Sequence, residues 1–539
     1  MSRRWTITVA LAGYLFASIG VILLFSCNSN ELNSSKKGME ENMYDEQHRP
    51  QFHFTPEKKW MNDPNGMVYY DDEYHLFYQY YPEGIVWGPM HWGHAVSKDL
   101  IRWEHLPIAL YPDSLGYYFS GSAVIDYNNT SGFGDGEIPP MVAIFTFGWE
   151  DEKGIAQRQG IAFSLDKGRT WTKYEGNPVL DINLNAFRDP KVFWHRPSQK
   201  WIMSIVASND NETIIPDHVK FFVSENLIDW EQTGEFGYTY GTQGGKWECP
   251  DLIEIPIEGT NEKKWVLIVS INPMGPNGGS GIQYFIGDFD GKTFEIDEQF
   301  KTGGGLSKTL WMDYGRDNYA GVTWSNTPDN TFVLIGWMSN WDYAQQVPTE
   351  RWRSSMTIPR KLILENTVKG LRLNSKPIDQ LKELRKRKKE IPAIEFYEKR
   401  AIADSLVNST AEVILQFNKK GAGEDSKFGI LLKNNKGEQV NIYFETSVNK
   451  YFIDRSRSGK VDFSPKFASI DAAPRIDDSD TLKFHLYIDK SSVELFADDG
   501  SVVMTETFFP NEDFSTIQIY GTNGGELVKG EIFELNSIW

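Results

Sequence analysis

The 539-residue chain reads as an all-β protein, a five-bladed β-propeller followed by a C-terminal β-sandwich. Three observations predict this. Short apolar runs, alternating with polar residues and broken by Gly, Asp, Asn and Pro, dominate from Phe52 onward, with little helical periodicity. A serine-to-tryptophan motif recurs through the first domain. Polar corners, several of them rich in proline, return at intervals of about sixty residues, the self-similarity expected of a repeat fold.

The N-terminus is an address rather than part of that fold. Arg3 and Arg4 precede an apolar run from Trp5 to Phe25, the charged and apolar regions of an export signal. The run ends Leu24-Phe25-Ser26-Cys27, which resembles a bacterial lipoprotein signal with Cys27 as the lipidated residue. At about 20 residues it could also span a bilayer uncleaved. Cys27 and the polar stretch behind it favour the lipoprotein reading. Residues 1–27 are thus expected as a signal peptide and 28–50, rich in Asn, Ser, Lys and Glu, as a flexible tether. The rest would lie outside the inner membrane, in the periplasm or at the cell surface, held by the lipid anchor.

Residues 51–364 carry the expected propeller. Tyr74–Tyr78, Met141–Phe145 and Trp265–Val269 are typical strand runs. Ser97-Lys98-Asp99-Leu100-Ile101-Arg102-Trp103 returns as Ser164-Leu165-Asp166-Lys167-Gly168-Arg169-Thr170-Trp171 and as Ser224-Glu225-Asn226-Leu227-Ile228-Asp229-Trp230. A faded copy is Phe289-Asp290-Gly291-Lys292-Thr293-Phe294. The corners Asp63, Ser122, Asp189, Glu248 and Asp313 follow at 59, 67, 59 and 65 residues. Five such units of about four strands each would bring equivalent positions together on a central axis. A sandwich of this length gives no reason for the acids to keep that register.

Residues 365–392 read as a connector ending in the basic run Lys382–Lys389, expected as a solvated surface or linker. Beyond residue 393 the pattern changes. Leu482, Phe484, Leu486 and Ile488 alternate with polar positions, and Asp499-Gly500 and Asn523-Gly524-Gly525 supply turns. Residues 393–539 are expected as an antiparallel sandwich with a structural role.

Composition narrows the function. A net charge of −19 argues against a nucleic-acid partner, which needs basic patches. Nine scattered His and the two cysteines Cys27 and Cys249 form no HExxH or CxxC pattern, so no metal and no cofactor is expected. The 18 Trp, 24 Tyr and 33 Phe suit sugar platforms, but they equally fill sheets.

The chemistry lies in the corners. Trp60-Met61-Asn62-Asp63-Pro64-Asn65-Gly66 pins an acid between an amide and a proline, and acids return at Arg188-Asp189-Pro190 and Glu248-Cys249-Pro250-Asp251. Asp-Pro and Asn-Gly are ordinary turn chemistry taken singly. Three acids in one pocket suit glycoside hydrolysis, one carboxylate attacking and a protonated partner donating. Spacing alone does not say which acid does which.

These corners, with Phe77-Tyr78-Gln79-Tyr80 and Phe119-Ser120-Gly121-Ser122, resemble the motif set of glycoside hydrolase family 32, the β-fructosidases. Met90–Leu100 and Gly336–Trp341 resemble bacterial levanases in particular. The likeness runs from Phe52 to the C-terminus. It implies a propeller and sandwich, and a retaining hydrolase acting on terminal β-D-fructosyl residues of levan or inulin, with sucrose a further candidate. It implies Asp63 as nucleophile, Glu248 as acid/base and Asp189 as transition-state stabiliser, with the reacting carboxyls about 5–5.5 Å apart. Trp60, Asn62, Gln79, Trp87, Ser122 and Arg188 match positions lining the family's fructose pocket. Trp337, with Trp341, stands evenly between substrate platform and propeller core. Cys249 is not expected as a nucleophile, having no histidine near it in sequence. An endo-acting levanase or inulinase, a fructosyltransferase using the same intermediate, and a binding protein on a decayed scaffold are the competing readings.

Overall fold

A computed structural model describes residues 43–539 except 152–153, 209–215, 302–307, 397–399 and 406–408. The expected signal peptide, Cys27 and most of the tether lie outside the described residues. The stretch read as a tether to residue 50 is already folded at its end. His48, Arg49 and Pro50 are buried, and Arg49 donates to the carbonyl of Pro56 (2.8 Å) with its guanidinium 4.5 Å from the centre of the Trp352 ring. Burial of such a cation is offset because its guanidinium donates to Thr55, Pro56 and Glu57.

Five antiparallel sheets follow one another along the chain. Their first strands are Lys59–Tyr70, Tyr117–Ile125, Phe187–His195, Lys246–Pro256 and Tyr319–Thr323. Each packs against the next, and the fifth packs back against the first, so the ring closes around an axis. Trp352–Arg353 adds a parallel pairing to the first strand of blade 1 and helps close the ring.

The repeated serine-to-tryptophan motif is the turn between the third and fourth strands of blades 1 to 4. Asp99, Asp166, Asn226 and Asp290 each accept backbone N–H groups through one side-chain oxygen. The next residue is left-handed every time: Leu100, Lys167, Leu227 and Gly291, at φ 66°, 59°, 65° and 91°. A short polar side chain bonding the backbone ahead of it is the turn chemistry that selects Asp or Asn here.

The fifth blade extends past residue 364. Arg360–Thr367 pairs with Gly370–Pro377 as its outer hairpin. The basic run is not a linker: Arg385–Ile391 is an edge strand of the sandwich, paired with Glu526–Leu535. Its side chains from Lys386 to Glu390 are exposed. A lysine-laden edge carries no hydrophobic alternation and resists pairing with other chains, which is why it reads as surface.

A seven-stranded and a six-stranded sheet form the sandwich, and Leu482, Phe484, Leu486 and Ile488 meet Val493 and Leu495 in its core. The sandwich is bonded to the propeller through buried charge. Arg360 of blade 5 pairs with Asp313 (2.8 Å) and with Glu494 of the sandwich. Thr505 donates to Asp313 (2.6 Å), and His53 bridges Asp489 (2.8 Å) and Glu494 (2.9 Å).

Candidate active site

The five inner strands share one irregularity. Each shifts register against its neighbour at the same place: between Met61 and Pro64, Tyr118 and Gly121, Arg188 and Lys191, Glu248 and Asp251, Tyr319 and Val322. A bulge inserts unpaired residues and re-aims side chains. The equivalent first positions are therefore Asn62, Phe119, Asp189, Cys249 and Ala320. Asp189, Cys249 and Ala320 are left-handed, at φ 65°, 49° and 52°, a cost of about 1–3 kcal/mol each that is typical of functional sites. Gly66 closes the first corner: at φ 52° its Cβ would lie 2.7 Å from the Phe77 ring.

Against this register the sequence spacing is one residue off at Asp63 and Glu248 and misses two beats outright. The fifth position is Tyr319-Ala320, not Asp313, which is buried in the sandwich junction. In blade 2 the bulge holds Ser120 rather than Ser122. The Ser122 hydroxyl donates to the Pro190 carbonyl (2.8 Å) and accepts from Val192 N (3.0 Å), tying blade 2 to blade 3.

The bulges bring the three acids together. Asp63 accepts from Asn62 Nδ2 (3.0 Å) on one oxygen and from Ser120 Oγ (2.7 Å) on the other. The Cys249 thiol lies 3.6 Å from Asp63 Oδ2 and 3.7 Å from Asp189 Oδ2, and Cys249 N donates to Asp189 at 3.0 Å. Glu248 accepts from Arg188 Nη1 (2.8 Å) on Oε1 and from the Tyr319 hydroxyl (2.5 Å) on Oε2. Gln157 in turn accepts from Arg188 Nε (3.1 Å), fixing the guanidinium.

A second layer holds the first. Asn65, its amide oxygen turned to Gln79, accepts from Gln79 Nε2 (2.9 Å) and donates to Ser120 Oγ (3.2 Å). Gln79 is thus buried behind Ser120 and acts on Asp63 through two intermediaries. Trp60 and Trp337 are fully buried, with centroids 6.0 Å apart, and Trp60 Nε1 donates to Asn62 Oδ1 (2.8 Å). Trp337 backs the Tyr319 ring at 6.4 Å, so of the two readings weighed for it the core one fits its burial. Trp341 and Trp87 are partly exposed at the edge of this cluster. Deeper on the axis, Lys191 meets Asp251 (3.1 Å) and the Thr323 carbonyl (2.7 Å), a buried pair filling the bore.

Electrostatics follow from crowding. Burial, then the charge of Glu248, push Asp63 up to about 6, against the hydrogen bonds of Ser120 and Asn62. Burial and Glu248 push Asp189 up to about 7, with Arg188 opposing. Burial and the surrounding acids also hold the Cys249 thiol well above its usual range, which leaves it protonated and a poor nucleophile. The pocket can therefore keep a proton among its acids near neutral pH, as acid/base chemistry needs. Among the described residues no group of three or more His, Cys, Asp or Glu is placed to hold a metal ion.

The sequence signal for the acids was their proline corners. Ser120 lies inside the Phe119–Ser122 run, where nothing in the sequence singles it out. Tyr319 carries no sequence signal of its own, and only the blade register finds it.

Comparison with known proteins gives a consistent picture. The glycosyl hydrolases family 32 N-terminal domain matches residues 53–377, and the glycosyl hydrolases family 32 C terminal matches 380–537. A levanase of Bacillus subtilis is 45% identical over 92% of this chain and 72% of its own. An extracellular exo-inulinase of Aspergillus awamori is 38% identical, covering 92% and 96%. The crystal structure of exo-inulinase from Aspergillus awamori superposes with a TM-score of 0.84 at 37% identity, over 92% of this chain and 100% of that one. A β-fructofuranosidase from Schwanniomyces occidentalis complexed with fructosyl-erythritol gives 0.81 at 36% identity, over 92% and 99%.

Proposed function

Since the chain belongs to glycosyl hydrolase family 32, and is a glycosidase, we propose that it removes terminal β-D-fructosyl residues from fructans with retention. Levan and inulin are the substrates its levanase and exo-inulinase relatives suggest, with sucrose a further candidate. One observation carries the chemistry. Asp63, held by Ser120 and Asn62, lies close enough to Glu248, held by Arg188 and Tyr319, that after burial the Glu248 charge raises the Asp63 pKa.

In this reading Asp63 attacks C2 of the terminal fructosyl unit. Glu248 gives its proton to the departing glycosidic oxygen, and a covalent fructosyl-enzyme results. Glu248 then takes a proton from water, which attacks C2 from the face just vacated and frees Asp63. Two inversions give net retention. Asp189 holds sugar hydroxyls and offsets the positive charge that builds on the ring in each transition state. Asn62, Trp87 and Arg188 line the pocket, with Trp60, Gln79, Ser122 and Trp337 shaping it from behind.

A product time course on levan, inulin and sucrose tests this. Fructose alone from the earliest points supports exo-action. Early oligosaccharides would move the assignment to an endo-enzyme, and transfer products at high sucrose to a fructosyltransferase. No release from any of the three would overturn the reading.

Anchoring is part of the same proposal. Export through residues 1–27 and lipidation of Cys27 would hold the enzyme at the periplasmic or outer face of a membrane. Cys27→Ala should abolish incorporation of a labelled fatty acid; unchanged labelling would overturn it.

A further inference from the structure

An aromatic row leads outward from the acids on blade 2, half-buried at Phe119 and Tyr117 and exposed at Trp149. Phe119 occupies the same bulge position as Asn62, Asp189 and Cys249, beside the Ser120 that donates to Asp63. Two residues back along the strand lies Tyr117, its ring 6.5 Å from that of Phe119. Tyr117 pairs with Gly148 on the neighbouring strand, and the residue after Gly148 is Trp149. The Trp149 and Tyr117 rings meet edge to face at 5.1 Å. At about 3.3 Å per residue, Tyr117 stands roughly 10 Å along the strand from Ser120.

Trp149 is 44% exposed, yet its indole is not free to turn: Nε1 donates to the Ser114 carbonyl at 2.8 Å. A large aromatic left in water but fixed by a hydrogen bond is a preorganised surface, which lowers the entropy lost when something flat binds it. Exposed aromatics gathered next to a pocket mark binding sites more often than scattered ones do.

We propose that Tyr117 and Trp149 form an outer subsite that stacks against fructosyl units beyond the one being cleaved. The occupant is the remainder of a fructan chain, whose rings offer C–H faces to aromatic surfaces. This rests on the fructan reading above and extends it. The row is continuous with the pocket through Phe119 and lies on one blade only, so it would favour chains leaving in one direction.

The test compares substrates of different length. Trp149→Ala and Tyr117→Ala should lower kcat/KM on inulin-type or levan-type oligosaccharides about tenfold relative to sucrose, the size expected of a lost stacking contact. Trp149→Phe should restore part of the difference. In parallel, the Asp63→Asn protein is titrated with the same oligosaccharides, so that binding is read without turnover. Its affinity should rise with chain length, and adding Trp149→Ala should remove the rise. If the wild type cleaves fructans but its length preference survives both alanine variants, the outer subsite falls and the fructan reading stands. If the Asp63→Asn protein binds no fructan of any length, both fall together.

Discussion

The Tyr319 hydroxyl donates to Glu248 Oε2 at 2.5 Å, so blade 5, which contributes no acid to the pocket, holds the acid of its neighbour. Burial and the Glu248 charge push the Tyr319 hydroxyl well above its usual range, so it stays a donor at every working pH. With Arg188 on the other oxygen, both carboxylate oxygens of Glu248 are held, which would orient it for the proposed acid/base role. Tyr319→Phe should lower kcat by about 10–100-fold, the worth of one hydrogen bond to a charged acceptor. The loss should be larger for sucrose than for an activated fructosyl donor, which needs little protonation. Steady-state kinetics on both substrates check it, and equal losses would argue against the role.

Ser120 tunes Asp63, the proposed nucleophile. Its hydroxyl donates to Asp63 Oδ2 at 2.7 Å and favours the ionised form, opposing the burial that raises Asp63 to about 6. Attack needs Asp63 ionised, so activity should fall as pH drops through about 6. Removing the donor in Ser120→Ala should move that acid limb upward, since the charged form loses its partner. The pH dependence of kcat/KM measures this directly. A limb that stays or moves down would contradict it.

The sandwich junction should weaken in alkali. His53 is fully buried between Asp489 and Glu494; burial would lower it, but the two acids raise it to about 9. The folded value lies above the free one of 6.5. The stabilisation is therefore complete below about pH 6.5 and is lost as pH rises through about 9. A shift of this size is worth about 3 kcal/mol. Thermal unfolding from pH 6 to 9.5 should show a falling Tm in the wild type and a flatter, lower curve in His53→Gln. Parallel curves would contradict the assignment.

Much of this architecture was legible from residue order. The proline corners marked Asp63, Asp189 and Glu248 because proline inside a sheet is confined to bulges and edges, and these lie at register shifts of the inner strands; the four Asp or Asn turns repeated visibly. The fifth beat was misplaced because an acid, Asp313, drew attention six residues before the bulge at Tyr319-Ala320. What carries the register is a backbone irregularity, which leaves no fixed residue type behind it. The strand at Arg385–Ile391 was hidden for a related reason: an edge strand has little buried face to write into the sequence. His53 carries no such signal because its partners Asp489 and Glu494 lie in another domain, and Arg49 because it bonds mainly to backbone carbonyls, which leave no residue type behind.

The most direct test is to trap the covalent intermediate. A Glu248→Ala protein given a fructosyl fluoride needs no proton to expel the leaving group, but lacks the base that would activate water. Intact-mass analysis should show the gain of one fructosyl residue, and peptide mapping should place it on Asp63. A fructosyl ester on Asp189, or fluoride release with no adduct and an inverted product, would contradict the assignment of Asp63 as nucleophile.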